Sequence, residues 1–132
     1  MTINKFISQL VKIECIESSN EYGHYPFQLY AELETGGAEL SSLALGGDVE
    51  ACYKKFTHYV VKLNAKQVFM SLDFPAGGDI STDFVVIFAW TLGKLSAVAI
   101  PYTAEGDVLA PVSESSHLKS VASELMDTIN LT

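Results

Sequence analysis

From Phe27 the chain alternates cleanly, with Phe27, Leu29, Ala31 and Leu33 on one side and Gln28, Tyr30, Glu32 and Glu34 on the other. A period of two predicts a half-buried strand. Thr35-Gly36-Gly37 supplies the positive φ angles of a hairpin turn. The return strand, Ala38 to Leu45, changes phase between Leu40 and Leu43, which predicts a bulge near Ser41-Ser42. Gly46-Gly47-Asp48 then breaks the strand, and the period lengthens: Val49, Cys52, Tyr53, Phe56, Val60 and Leu63 fall on one helical stripe, with Lys54, Lys55, His58 and Lys62 turned to solvent. Asp48 and Glu50 at its start and lysines towards its end match the helix dipole. Alternation returns at Val68, Met70, Leu72 and Phe74, and the opposite positions are themselves partly apolar. Phe84 to Trp90 is apolar at every position, the mark of a central strand covered on both sides or placed at a subunit contact.

Leu92-Gly93 turns that strand into Leu95 to Ile100, and Pro101 ends it or confines it to an edge. Glu105-Gly106-Asp107 signals another turn, with a short strand, Val108 to Ala110, beyond it. Ser115 or Ser116 caps a last helix carrying Leu118, Val121, Ala122, Leu125, Met126 and Ile129 on one side. At the other end, Thr2 caps a helix with Ile3, Phe6, Ile7 and Leu10 on one face; it stops near Leu10 or runs on towards Glu17. The polar stretch from Ser18 to Pro26 reads as a loop. These elements form one domain, residues 1–132, in the order α-β-β-α-β-β-β-α: an α+β fold with a largely antiparallel sheet of five or six strands and about three helices. That order resembles the roadblock and longin group of profilin-like domains, a likeness of element order without any shared motif. It implies a binding or scaffold role.

Composition sharpens the picture. At 132 residues and 48% apolar content the chain can bury a core without metal or disulfide staples. Its apolar runs are far shorter than the roughly 20 residues of a membrane helix. Met1 to Leu10 lacks the continuous apolar stretch of a secretory signal. The expectation is cytoplasmic residence with Cys15 and Cys52 reduced. Sixteen acids against eight lysines and no arginine give a net charge of −8. Without an arginine fork to grip phosphate or guanine, nucleic acid is not an expected partner, and neither is a membrane.

The charge is also unevenly placed. Glu14, Glu17, Glu21, Glu32, Glu34, Glu39, Asp48 and Glu50 all lie between Ile13 and Tyr53, a stretch without lysine, so the whole surplus belongs to one third of the chain. Such a block either attracts a basic partner at long range or keeps an apolar protein soluble. Tyr30, predicted outward beside Glu32 and Glu34, suits contact with a cationic surface, or simply covers a strand.

Candidate chemistry is sparse. Asp73, Asp79 and Asp83 fall in or beside a glycine-rich loop between two strands and could offer oxygen ligands to a hard cation, although their spacing matches no known calcium loop. Acids beside Gly-Gly are also common turn formers. A pocket at that loop would draw on Phe69, Phe74 and Trp90. The two Gly-Gly-Asp tripeptides, at Asp48 and Asp79, read as caps and turns. His24, His58 and His117 are scattered without metal-ligand spacing, and no nucleophile elbow surrounds the serines near His117. No cofactor or catalytic group is expected. The expectation is a small acidic binding protein, a homodimer, with Tyr30, Glu32, Glu34 and Glu39 as its partner face and an inhibitor or immunity protein against a basic target as one subtype. The alternative is a small-molecule or divalent-cation domain, or an enzyme, with its site at Asp73, Asp79, Asp83 and Trp90.

Overall fold

The computed structural model describes residues 3–6, 27–43, 48–103 and 107–132. Its elements are α1 (Ile3–Phe6, a single turn), β1 (Phe27–Glu32), β2 (Ala38–Leu43), α2 (Val49–Thr57, continued by a π turn, His58–Lys62), β3 (Gln67–Phe74), β4 (Phe84–Thr91), β5 (Lys94–Pro101) and α3 (Ser116–Asn130). The strands form one antiparallel sheet in the order β2-β1-β3-β4-β5. The α+β class with an antiparallel sheet agrees with the sequence pattern.

The finer count does not. Among the described residues only α2 and α3 exceed one turn, and the continuation of the first helix past Phe6 lies outside them. The expected strand at Val108–Ala110 is replaced by isolated bridges, Tyr102 to Val108 and Ala99 to Val112, so this segment clips the edge of β5 without extending the sheet. No bulge occurs in β2 either. Phe27 to Glu32 pairs one for one with Leu43 to Ala38, and the phase change in the sequence is accommodated in an unbroken ladder. Leu45 lies outside the described residues.

Two cores lie on opposite faces of the sheet. On one face Leu29, Ala31, Val68, Met70, Leu72, Phe84, Val86, Phe88 and Ala99 meet Cys52, Tyr53 and Phe56 of α2 and Leu118, Val121 and Leu125 of α3. Tyr53 packs edge-on to Phe88, and its hydroxyl donates to the Val121 carbonyl across the two helices at 3.5 Å. Burial, and the charge of Glu124, push its phenol well above the ordinary value. Burial, helped by the charge of Asp48, likewise raises the Cys52 thiol to about 11, so at neutral pH it is a protonated core group.

On the other face Phe69, Val85, Ile87, Ala89 and Ile100 are buried with Phe6 and Tyr102. Residues 84 to 88 of β4 are therefore fully buried on both sides, as their unbroken apolar run predicts. Both faces of the sheet thus take a share of the chain's apolar residues. No helix among the described residues is long and apolar enough to cross a membrane.

The end of α2 departs from its predicted stripe. A π turn widens the helix by one residue per turn, and from His58 the phase shifts: Tyr59 joins the core while Leu63, expected inside, is 42% exposed. This shift shapes the ground beside the candidate site.

Candidate functional site

Each loop carboxylate is bonded to a different group. Asp73, on β3, accepts the Tyr102 hydroxyl at 2.5 Å. Asp83 accepts the Ala76 N–H at 3.0 Å and closes the loop on itself. Asp79 reaches the start of α3, where its two oxygens accept the N–H groups of Ser116 at 2.8 Å and His117 at 3.2 Å. It thus assists Ser115, whose hydroxyl accepts the Leu118 N–H as the N-cap. The other Gly-Gly-Asp behaves alike, with Asp48 capping its own helix through Ala51 N–H. Gly78 has φ +58°, and a Cβ there would stand 3.1 Å from the His117 ring, which packs edge-on to Phe84. The loop is a clasp on α3. Among the described residues, no three His, Cys, Asp or Glu side chains are grouped to hold a metal.

The Ser116 bond, seconded by that of His117, holds the Asp79 carboxyl below its ordinary range. A depressed folded-state pKa contributes stability that is present above the unfolded value, about 4, and is lost as pH falls through the folded one. In an acid series of thermal melts, Asp79→Asn should therefore flatten the low-pH fall in midpoint. An acid limb identical to that of the native protein would show that the clasp carries no such coupling.

Trp90 does not join this loop. It sits near the far end of β4, roughly 20 Å away at the rise of a strand, and Phe69 faces the opposite core. The four residues expected to share one ligand site thus divide: Asp79 and Asp83 shape the clasp, Asp73 bonds Tyr102, and Trp90 stands apart.

Around Trp90 the structure builds a cleft of about 640 Å³, lined by Glu32, Glu34, Val60, Asn64, Ala65, Lys66, Gln67, Trp90, Thr91, Leu92 and Gly93. Three segments converge to make it. The β1–β2 hairpin brings Glu32 and Glu34. The connection from α2 to β3 folds back after the π turn, with Ala65 N–H bonded to Tyr59 O at 3.0 Å and Lys66 N–H to Glu32 O at 2.8 Å. The β4–β5 hairpin supplies Leu92 and Gly93 between the paired residues Thr91 and Lys94.

Two of the expected partner-face residues, Glu32 and Glu34, therefore meet the tryptophan expected in the ligand site. Tyr30 does not accompany them. It is half-buried and stacked on Phe69, at 6.1 Å between ring centroids, rather than exposed among acids. Glu39 pairs with Ala31 through the backbone of β2, and its side chain lies outside the described residues.

The cleft also gathers the unusual backbone. Among the described residues the two non-glycine positions with positive φ are Asn64 (49°) and Leu92 (53°), and both line it. The π turn contributes Val60. Asn tolerates the left-handed region, but for leucine it costs about 1 to 2 kcal/mol. Leu92 and Gly93, with φ of 53° and 74°, have the sign pattern of a type I′ turn, whose first position favours Asn, Asp or Gly. Leu92 is nonetheless 90% exposed. Strained backbone of this kind clusters at functional sites. Leu-Gly where a turn asks for Asn-Gly is the one sequence signal that could have pointed here; Asn64, Lys66 and Gln67 carry none. Compared with protein-family models, with curated proteins and with solved structures, the chain matches none.

Proposed function

We propose that this is a small, acidic, non-catalytic binding protein whose partner is a basic, amphipathic protein segment docking in the Trp90 cleft. The observation that carries this reading is the convergence of two carboxylates, an indole and a left-handed exposed leucine on one concavity. Carboxylates and an aromatic face together suit a lysine or arginine side chain: the ring attracts the cation by about 0.5 to 2 kcal/mol, and the carboxylates pair with it. Lys66 on the same wall leaves the lining with one net negative charge, which favours a partner carrying few cations among apolar groups. Leu92 offers such a partner an apolar anchor. The acidic third of the chain supplies the field that brings a basic partner in.

Trp90 is the single tryptophan of the chain, so its fluorescence reports occupancy of the cleft directly. A short peptide alternating lysine and leucine should change that emission saturably at low salt. Charge reversal, Glu32→Lys with Glu34→Lys, should weaken binding at least about tenfold, equivalent to about 1.4 kcal/mol. Leu92→Asn should stabilise the fold by about 0.5 to 1 kcal/mol, by relieving the turn, and should weaken the peptide's binding. Unchanged affinity after the double charge reversal sinks the proposal.

A further inference from the structure

The two edges of the sheet are guarded differently. The strand order β2-β1-β3-β4-β5 leaves β2 and β5 at the margins. An edge strand offers a row of unpaired N–H and C=O groups to another strand, and lysine, proline or a covering segment ordinarily blunts it. β5 has all three. It opens on Lys94 and ends on Pro101. Ala99 exchanges both its bonds with Val112 at 2.8 Å, and the Pro101 carbonyl accepts the Leu109 N–H at 2.8 Å. β2 has none of them. Ala38-Glu39-Leu40-Ser41-Ser42-Leu43 holds neither lysine nor proline, and its ladder to β1 runs without a bulge. Among the described residues no segment pairs with its outer side.

The register shows which backbone groups are on offer. At the mouth of the hairpin the Leu33 N–H donates to the Gly37 carbonyl at 2.7 Å. Bonded and non-bonded pairs alternate along an antiparallel ladder, so Ala31 with Glu39, Leu29 with Ser41 and Phe27 with Leu43 are the bonded pairs. The N–H and C=O groups of Ala38, Leu40 and Ser42 are then turned away from β1. The bond from Lys66 N–H to the Glu32 carbonyl, at 2.8 Å, fits this phase: Glu32 bonds on the β3 side, and its partner Ala38 bonds outward. Charge selects the occupant. From Phe27 to Leu43 the hairpin carries Glu32, Glu34 and Glu39 and no basic residue. A second copy paired β2 to β2 would set these three acids against the same three, and like charges across a ladder are destabilising. A segment with lysine at alternate positions meets them with opposite charge.

We infer that β2 takes up, as a sixth strand, an extended basic segment of a partner protein, bonded through the backbone of Ala38, Leu40 and Ser42. In such strand addition the main-chain bonds supply the attachment, and alternate side chains of the added segment supply the selectivity. The inference is independent of occupancy at Trp90, which is three strands away on β4.

The test is a titration of the isotope-labelled full chain, at low salt, with a short peptide alternating lysine and valine, followed by amide chemical shifts and amide hydrogen exchange. Saturable shifts and slowed exchange are expected at the Ala38, Leu40 and Ser42 amides, while those of Glu39, Ser41 and Leu43, already bonded to β1, gain little protection. Shifts at residues 66–67 and 90–93 report the Trp90 cleft separately, so either site can fail without the other. The same peptide with its backbone nitrogens methylated keeps its charge but cannot donate to a ladder, and should bind at least about tenfold more weakly. Ser42→Pro removes one outward N–H and none of the bonds to β1; it should weaken binding about fivefold, the equivalent of one backbone hydrogen bond, where Ser42→Ala leaves it unchanged. A peptide alternating glutamate and valine should not bind. The inference is overturned by the absence of saturable change at the three outward amides, by binding indifferent to methylation, or by equal binding of the glutamate peptide. It is overturned equally if the three amides are protected without peptide while light scattering shows a doubled mass, which would make a second copy the occupant.

Discussion

Phe88→Ala should lower the unfolding free energy by about 3 to 5 kcal/mol, the cost of deleting a fully buried aromatic ring. The ring is completely buried in the middle of β4, between the sheet and both long helices, and Tyr53 packs against it edge-on. Its loss removes the apolar transfer energy, leaves a cavity in a close-packed core, and unseats the Tyr53 ring whose hydroxyl ties α2 to α3. Against a total stability of about 5 to 15 kcal/mol, this is a large fraction. Urea denaturation should show a much lower midpoint with little change in slope. A loss below about 1 kcal/mol would mean that the helices do not close over β4.

The neighbouring substitution Ile87→Ala should cost about 2 to 5 kcal/mol. Its side chain points to the opposite face, where it is fully buried with Phe69, Val85 and Ile100. On a sheet with one wet face the same change would fall within about 0.5 kcal/mol of neutral. The comparison of adjacent residues thus measures whether the second face is a true core. A near-neutral result, by the same urea assay, would refute the two-core arrangement.

That arrangement is legible because β4 is apolar at every position from Phe84 to Trp90, which no half-exposed strand requires. The β1 strand, the α2 stripe as far as Phe56 and a serine cap on α3, at Ser115 or Ser116, are equally plain, since each depends on local spacing or a single side chain. Tertiary pairing decided the rest. The phase change in β2 predicts a bulge from alternation along one strand, whereas the ladder to β1 holds it in register. A period of 3.6 carried through His58 puts Leu63 inside, but the helix widens there. Trp90 and the Asp73–Asp83 loop neighbour the same strand in sequence, and only its extended length separates them. The cleft itself was invisible: Glu32, Asn64 and Leu92 lie far apart in sequence, and no periodicity brings three connections to one end of a sheet.

The strand order has a kinetic consequence. β1 with β2 is one local hairpin, and β3, β4 and β5 are a local meander, so both can form by closing short loops. The seam between them, β1 on β3, pairs Leu29 with Met70 across the intervening hairpin and α2. Closing that longer loop carries an entropic cost that local turns do not, and it must be met before the acidic hairpin is joined to the charge-balanced remainder. The Trp90 cleft straddles this seam, with Glu32 and Glu34 on one side and Gln67 and Trp90 on the other. On loop-closure grounds this is the costliest pairing of the sheet, so the cleft is complete only when β1 has joined β3.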